Sequence, residues 1–235
     1  VHLRYELQRR KFFNHYTDDP TSLPDVWPVA LSIYNVYEAA IFGAELDYSP
    51  DQVPDTIPPF ADEDRKEDIF ELDIEHPLER GFCKRCLDFW DEMEKVCKGL
   101  EFEGRPVELQ PWALTGTDGP VTVGCNLRGA DFLMDLAGDP DYADRLMGFI
   151  VRAANLRRRA FEQYWGGKIG RGNGLADDSI AMLSVEMYRE QVMAHHRAFY
   201  EDVERTGTRG IHLCGDAKRF FPIFRHELGA EAFDA

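Results

Sequence analysis

The feature that most constrains this sequence is the alternation of strand-like and helical segments in its second half. The segment "GLADDSIAMLS" (174–184) reads as a short strand that ends in acids, and "GIHLC" (210–214) reads as a second strand. A helical segment follows each of them. Strands and helices that alternate over short links indicate βα units around a parallel sheet, either open or closed. In both forms, functional side chains gather at the carboxyl ends of the strands.

The length and composition fit one large domain of this kind. The chain has 235 residues, and 44% of them are hydrophobic. Barrels of the α/β class commonly have about 200–250 residues. We therefore interpret 1–235 as a single domain. The chain begins at Val1 and ends in "GAEAFDA", just after a predicted helix start, so we expect a domain truncated at both ends.

The net charge and the apolar pattern argue against some classes of partner, and the number of cysteines indicates a cellular compartment. The formal net charge of −16 repels phosphate backbones, which argues against nucleic acid as a partner. No apolar run approaches the roughly 18 residues of a membrane span, and no signal-peptide pattern opens the chain, so we expect no membrane association. Five cysteines, an odd number, are scattered along the chain. This usage predicts reduced thiols in a cytoplasmic protein.

Local helix signals are clear around the middle of the chain. Asp139 is a good N-cap with Pro140 at the first helical position, and the helix is predicted to run to about Trp165. Ser184 is predicted to cap the next helix. Helices are also predicted over 77–98 and 129–137, whereas "RPVELQPWALTGTDGPVTV" (105–123) reads as a strand and a loop.

His212 and Cys214 are the candidate metal ligands. They stand at positions i and i+2 of a predicted strand, so their side chains share one face. An imidazole and a thiolate on one face can both reach a single metal, although two half-buried core residues would show the same pattern. Catalytic zinc usually takes at least three protein ligands, so a third ligand must come from elsewhere.

The segment "ADDS" (176–179) places polar residues at the end of the preceding strand. Adjacent strand residues face opposite sides, so at most one of Asp177 and Asp178 points into a pocket, and the other caps a helix or loop. The strand-end position makes Asp178 and Ser179 candidate pocket residues. Cys83 and Cys86 form a CxxC in a charged helical segment without a second such pair, and we interpret them as structural thiols.

Three segments in this order resemble the uroporphyrinogen decarboxylase superfamily. They are "GPVTVGCNLRGADFLMDLAGDPD" (119–141), "GLADDSIAMLSVEMYREQVMAHHRAFYEDV" (174–203) and "GIHLCGD" (210–216). Their order and spacing are more specific than any single motif, and the likeness covers most of residues 38–235. The resemblance implies an α/β fold, a (β/α)₈ TIM barrel whose pocket lies at the carboxyl ends of the strands. By that likeness, the barrel is incomplete in this chain.

Within the superfamily, the chain looks more like the corrinoid-dependent methyltransferases. That branch binds zinc through His-x-Cys and a distant second cysteine; His212 and Cys214 match the first two ligands, and the third would fall beyond Ala235. "GPVTV" followed by "LRG" also favours this branch. The resemblance implies Zn²⁺, a corrinoid carried by a partner protein, and a small-molecule thiol or similar acceptor. It also implies that Asp178 orients a ligand or substrate and that Ser179 lines the pocket.

Two alternatives remain open. The decarboxylase branch acts on uroporphyrinogen in porphyrin biosynthesis, as a cofactor-free carboxy-lyase. Its pocket serine matches Ser179, but Asn126 stands where it has a pocket tyrosine, and its Arg-Gln-Ala-Gly-Arg run is not found here. We include Asn126 and Asp177 as candidate substrate-binding residues. The other alternative is a non-catalytic barrel that binds a tetrapyrrole or a corrinoid.

Overall fold

A computed structural model describes residues 1–16, 24–31, 33, 37–113, 118–167, 174–202 and 207–234. The chain divides into two compact units. The smaller unit comprises Val1–Ile33 and Lys84–Ala113, and the larger unit comprises Tyr34–Cys83 and Leu114–Ala235. The candidate site residues named above all belong to the larger unit.

The described residues contain α-helices, shorter helical segments of other pitch, and short strands. The α-helices are α1 (His2–Tyr16), α2 (Tyr37–Ile41), α3 (Gly81–Cys97), α4 (Pro120–Arg128), α5 (Asp131–Gly138), α6 (Pro140–Tyr164), α7 (Val185–Met187), α8 (Met193–Tyr200) and α9 (Phe221–Ile223). Segments with the tighter 3-10 pitch are Glu63–Glu71, Asp178–Met182 and Lys218–Phe220, and segments with the wider π pitch are Tyr188–Val192 and Phe224–Leu228. The strands are β1 (Trp27–Val29), β2 (Glu45–Asp47), β3 (Asp55–Ile57), β4 (Glu101–Phe102), β5 (Arg105–Leu109), β6 (Gly174–Ala176), β7 (Gly210–His212) and β8 (Ala232–Asp234).

The smaller unit is built on one mixed sheet. Its strand order is β1-β5-β4, with β1 parallel and β4 antiparallel to β5. The indole of Trp27 is buried, and its Nε1 donates a hydrogen bond to the carbonyl of Phe102 at 2.8 Å. Leu7 of α1 packs into the same small core. A buried aromatic ring with a satisfied N–H therefore anchors this sheet.

The larger unit contains the parallel sheet that the alternating pattern predicts. Its strand order is β6-β7-β8, and both pairs are parallel. Ala176 lies opposite His212 in the register, so the carboxyl ends of β6 and β7 meet at one edge. Asp118 forms a single parallel bridge to Ala176 from the other side of β6. The predicted helix start near the end of the chain corresponds to helical segments over 218–228, and residues 232–234 after them form β8.

Helices α4, α5, α6 and α8 contribute the apolar residues that form the main core of the larger unit. That core includes Leu127, Phe132, Leu146 and Phe199, all fully buried. The helix predicted from Asp139 is confirmed: α6 begins at Pro140, and Asp139 accepts a hydrogen bond from the N–H of Tyr142 at 3.3 Å. Ser184 caps α7 as predicted, by accepting from the N–H of Met187 at 3.1 Å.

Several predicted elements differ in the structure. Residues 120–123, read as part of a loop, belong to α4 (Pro120–Arg128), and the helix predicted from residue 77 begins at Gly81. The helix predicted after Ser184 is interrupted by the π segment Tyr188–Val192. These differences arise from tertiary contacts rather than from local propensity, as the site geometry shows below.

The chain is thus a mixed α/β protein with more residues in helices than in its short strands. In the part of the chain that the structure describes, the strands form three small sheets, and no closed barrel is present. None of the described helices is both long enough and apolar enough to cross a membrane.

Candidate functional site

Three potential metal donors meet at the carboxyl edge of β6 and β7. The Nε2 of His212 lies 3.3 Å from the Sγ of Cys214, so the two side chains share one face. Asp178, two residues after the end of β6, accepts a hydrogen bond from the backbone N–H of Cys214 at 2.5 Å. One ligand atom from each of the three residues lies within 4.8 Å of the others. Asp178 and His212 are half-buried and Cys214 is exposed, so the group is open to a small ligand.

The spacing of these donors fits a zinc ion. Typical Zn–N and Zn–S bonds in a tetrahedral site place the two ligand atoms about 3.6 Å apart, close to the observed His212–Cys214 separation of 3.3 Å. The chemistry also fits, since nitrogen, sulfur and carboxylate oxygen are the three donor types that zinc takes from proteins. The carboxylate of Asp178 is therefore a candidate third donor within the described chain, in addition to the later cysteine that the family resemblance implies.

Asp177 points away from this group and is fully buried. Its Oδ1 accepts hydrogen bonds from the N–H of Thr122 at 2.7 Å and from the Thr122 hydroxyl at 2.8 Å. Its Oδ2 faces the N–H of Val121 at 3.3 Å and the Nε2 of His196 at 2.8 Å. The two aspartates therefore diverge, although both follow the end of β6 and Asp178 begins a 3-10 segment, so strand alternation is not the cause. Asp177 caps the start of α4, and the structure shows no exposed surface through which it could contact a substrate.

Gly119, the residue that precedes α4, has to be a glycine because Asp177 occupies the space of a side chain. A Cβ at Gly119 would lie 2.3 Å from the Cβ and Cγ of Asp177. The N–H of Gly119 also donates to the carbonyl of Ala176 at 2.5 Å. The close approach of these two backbones brings the N-terminus of α4 against the end of β6.

His196 links Asp177 to a buried tyrosine. The imidazole is fully buried, and its Nδ1 lies 3.1 Å from the hydroxyl of Tyr188. Burial raises the pKa of Tyr188 well above its ordinary value, so its hydroxyl keeps a proton that it can donate to Nδ1. A neutral imidazole then carries its own proton on Nε2, facing Asp177. The neighbouring His195, on the same helix, pairs with Asp144 instead, at 3.0 Å.

Ser179 is half-buried and is held beside α4. Its N–H donates to the hydroxyl oxygen of Thr122 at 3.0 Å. Burial raises the pKa of the Cys125 thiol to about 11, and a side-chain hydrogen bond with Ser179 opposes that rise. Asn126 is also half-buried and lies one turn after Thr122, on the same face of α4. The predicted residues Asp178 and Ser179 thus lie in the 3-10 segment after β6, and Asn126 lies on α4, which contacts that segment.

Asp118 is a site residue that the sequence did not single out. Its backbone pairs with Ala176, which places it beside the end of β6. Burial, together with the carboxylates of Glu38, Asp177 and Asp178, raises the pKa of its carboxyl group to about 8, against the opposing effect of Arg157. At neutral pH this group is largely protonated, which limits the negative charge beside the metal donors. The sequence feature that could have identified Asp118 is its position directly before the Gly119-Pro120 pair at the start of a helix.

The buried arginine Arg157 and the first CxxC cysteine, Cys83, line a separate cavity of the larger unit. Arg157 donates to Glu38 at 2.7 Å, and both side chains are almost fully buried. The cavity has a volume of about 400 Å³, and Arg157 and Cys83 form part of its wall. Burial raises the pKa of the Cys83 thiol to about 11. The thiol is therefore protonated at neutral pH, which agrees with the interpretation of this cysteine as structural.

Comparison with protein-family models gives no match, and comparison with curated proteins gives none either. Among solved structures, the chain is similar to a methyltransferase from Methanosarcina mazei, with a TM-score of 0.57 and 16% sequence identity. The alignment covers 97% of this chain and 61% of that protein, so the chain spans about three fifths of its length. At this identity the likeness is one of fold.

Proposed function

We propose that this chain is part of a zinc-dependent methyltransferase that moves a methyl group between a corrinoid protein and a thiol or similar acceptor. The observation that carries the proposal is the convergence of His212, Cys214 and Asp178 at the carboxyl edge of two parallel strands. The fold likeness to a methyltransferase supports it. So does the resemblance of three sequence segments to the uroporphyrinogen decarboxylase superfamily, within which His212, Cys214 and the GPVTV and LRG runs look more like the corrinoid-dependent branch. We also propose that the sheet β6-β7-β8 is one arc of a (β/α)₈ barrel whose remaining strands lie in the parent protein.

In this proposal each site residue has a distinct task. His212 and Cys214 hold the ion with one nitrogen and one sulfur, and Asp178 supplies an oxygen or orients the incoming acceptor. Zinc lowers the pKa of a coordinated thiol, which makes it a nucleophile near neutral pH. Ser179 and Asn126 line the side of the pocket formed by α4. Asp118, held protonated at neutral pH, keeps the site from accumulating a further negative charge.

The charge around the site favours methyl transfer over decarboxylation of a polycarboxylate. Asp118, Asp177 and Asp178 lie together, and Glu38 contributes to the same field. The arginine near them, Arg157, is already paired with Glu38. A substrate with several carboxylates needs a basic pocket, whereas a neutral thiol does not. The decarboxylase-like alternative therefore predicts a positive pocket that this group of residues does not provide.

Zinc content is the first test of the proposal. We expect purified wild-type chain to retain about one zinc ion, and His212→Ala and Cys214→Ala each to lose most of it. His226→Ala and Cys125→Ala are matched controls, because His226 is an exposed histidine outside the site and Cys125 is a thiol on α4. Unchanged zinc in both site variants would exclude this site.

A transfer assay then separates the enzyme from a non-catalytic barrel. Methylcobalamin serves as the methyl donor and a small thiol as the acceptor, and the loss of the methyl–cobalt bond is followed by absorbance. The sulfur gains the methyl carbon, its proton leaves to solvent, and the electron pair of the broken bond stays on cobalt. We expect turnover that requires Cys214. Corrinoid binding by an intact zinc site without any turnover would favour the non-catalytic alternative.

A further inference from the structure

The loop that carries the metal-donor aspartate is connected to a buried histidine on α8. The ring of His196 is fully buried, and its two nitrogens face Asp177 at 2.8 Å and Tyr188 at 3.1 Å. Both nitrogens of the imidazole are therefore engaged within the protein. The ring of Tyr188 packs between Phe220 and Phe224, with centroid distances of 5.4 and 5.6 Å, which fixes the hydroxyl.

Asp177 and Ser179, the two residues that flank Asp178, are both hydrogen-bonded to Thr122. Asp177 accepts from the N–H and the hydroxyl of Thr122, and the Thr122 hydroxyl oxygen in turn accepts from the N–H of Ser179 at 3.0 Å. Asp178 lies between these two anchored residues and accepts from the N–H of Cys214. The orientation of the Asp178 carboxylate therefore depends on a backbone that is held in place at Asp177 and at Ser179.

We infer that His196 is a positioning residue: together with Tyr188 and Asp177 it holds the loop that presents Asp178 and Ser179 to the metal donors. It touches no reacting group and acts only through Asp177. The part of this inference that concerns metal binding rests on the proposed function. The part that concerns the loop does not.

The π segment explains how Tyr188 and His196 come to face each other. In a regular α-helix, residues eight apart are rotated by about 80° about the axis. The wider π turn at Tyr188–Val192 reduces the rotation per residue, so that both side chains reach one buried face. Single π turns are rare and occur often at functional sites. Here the π turn allows Tyr188, His196 and Asp177 to form one continuous series of hydrogen bonds.

Amide hydrogen exchange of the metal-free chain tests the positioning role directly. In His196→Leu we expect the N–H groups of Ser179 and Cys214 to exchange at least about tenfold faster than in wild type, because the loop loses its anchor. His196→Gln is expected to restore most of the protection, since its amide can donate to Asp177. The matched control is His195→Leu, which removes the adjacent histidine and its pair with Asp144 but leaves the loop amides protected.

A cobalt titration adds the functional readout. Co²⁺ should bind the wild-type chain with a sulfur charge-transfer band, and His196→Leu should weaken that binding about tenfold or more, as residues behind metal ligands commonly do. If wild type shows loop protection that depends on His196 but binds no Co²⁺, the proposed function fails and the positioning role stands. Tyr188→Phe keeps the ring packing and provides a milder variant if His196→Leu does not fold.

The inference is overturned by either of two results. One is unchanged exchange of the Ser179 and Cys214 amides in both His196→Leu and Tyr188→Phe. The other is an equal acceleration in His195→Leu, which would mean that α8 contributes only general stability.

Discussion

The contact between Gly119 and Asp177 predicts that Gly119→Ala is strongly destabilising. The added Cβ would lie 2.3 Å from two carbon atoms of Asp177 and 2.4 Å from its Oδ2. Ordinary carbon contacts are about 3.5–4.0 Å, so the carboxylate has to move by more than about 1 Å. Its four hydrogen bonds have donor–acceptor distances of 2.7 to 3.3 Å, and at least two of them would break. A buried polar group left unsatisfied costs about 1–3 kcal/mol, which gives a total of about 2–6 kcal/mol.

Urea unfolding followed by far-ultraviolet circular dichroism measures this loss. The matched control is Gly138→Ala, because a Cβ at Gly138, in α5, meets no atom within 4 Å and the backbone there is not left-handed. The control should be neutral, or more stable than wild type by up to about 1 kcal/mol. A Gly119→Ala variant within about 0.5 kcal/mol of wild type would refute the role given to Asp177 as the cap of α4.

Three further predictions concern charge and thiol reactivity. Arg128→Met removes a buried guanidinium, so two carbonyls and a buried carboxylate lose their donor, and the free energy of unfolding should fall by about 3–5 kcal/mol. In the same urea assay Arg145→Met, which removes an exposed ion pair, should change that free energy by less than about 1 kcal/mol. The pKa of Asp118 is raised from 3.8 to about 8 in the folded chain, so its contribution to stability is full below about pH 4 and is lost as the pH rises through about 8. Asp118→Asn should therefore gain stability relative to wild type as the pH rises from about 4 to about 8, and a difference that does not change with pH would contradict the shift. In the metal-free chain, iodoacetamide should label the exposed Cys214 before Cys125, whose thiol pKa is raised to about 11 by burial, and mass spectrometry of the peptides would reveal the opposite order.

The parts of the fold that local sequence signals control were predictable. Asp139 with Pro140 marks the start of α6, and Ser184 marks the start of α7, because a cap and the residues that it satisfies lie within one turn of each other. The period of two that the sequence shows over 210–214 likewise placed His212 and Cys214 on one face, although β7 itself ends at His212. The alternating pattern gave the parallel pairing of β6 and β7.

The parts that depend on distant residues were not predictable. Helix α4 begins after a glycine that offers no side-chain cap, and its first N–H groups are satisfied by Asp177, more than 50 positions away. The buried contact of His196 with Tyr188 depends on a π turn, which the helical period of the sequence does not reveal. Three residues of β8 carry too little pattern to be recognised as a strand.

X-ray absorption at the zinc edge tests the central claim most directly, because it reports which atoms surround the ion. We expect a zinc ion with at least one sulfur neighbour at about 2.3 Å and nitrogen or oxygen neighbours at about 2.0–2.2 Å, and we expect Cys214→Ala to lose a sulfur. A first shell made only of oxygen, or a sulfur contribution that persists in Cys214→Ala, would contradict a site built from His212, Cys214 and Asp178.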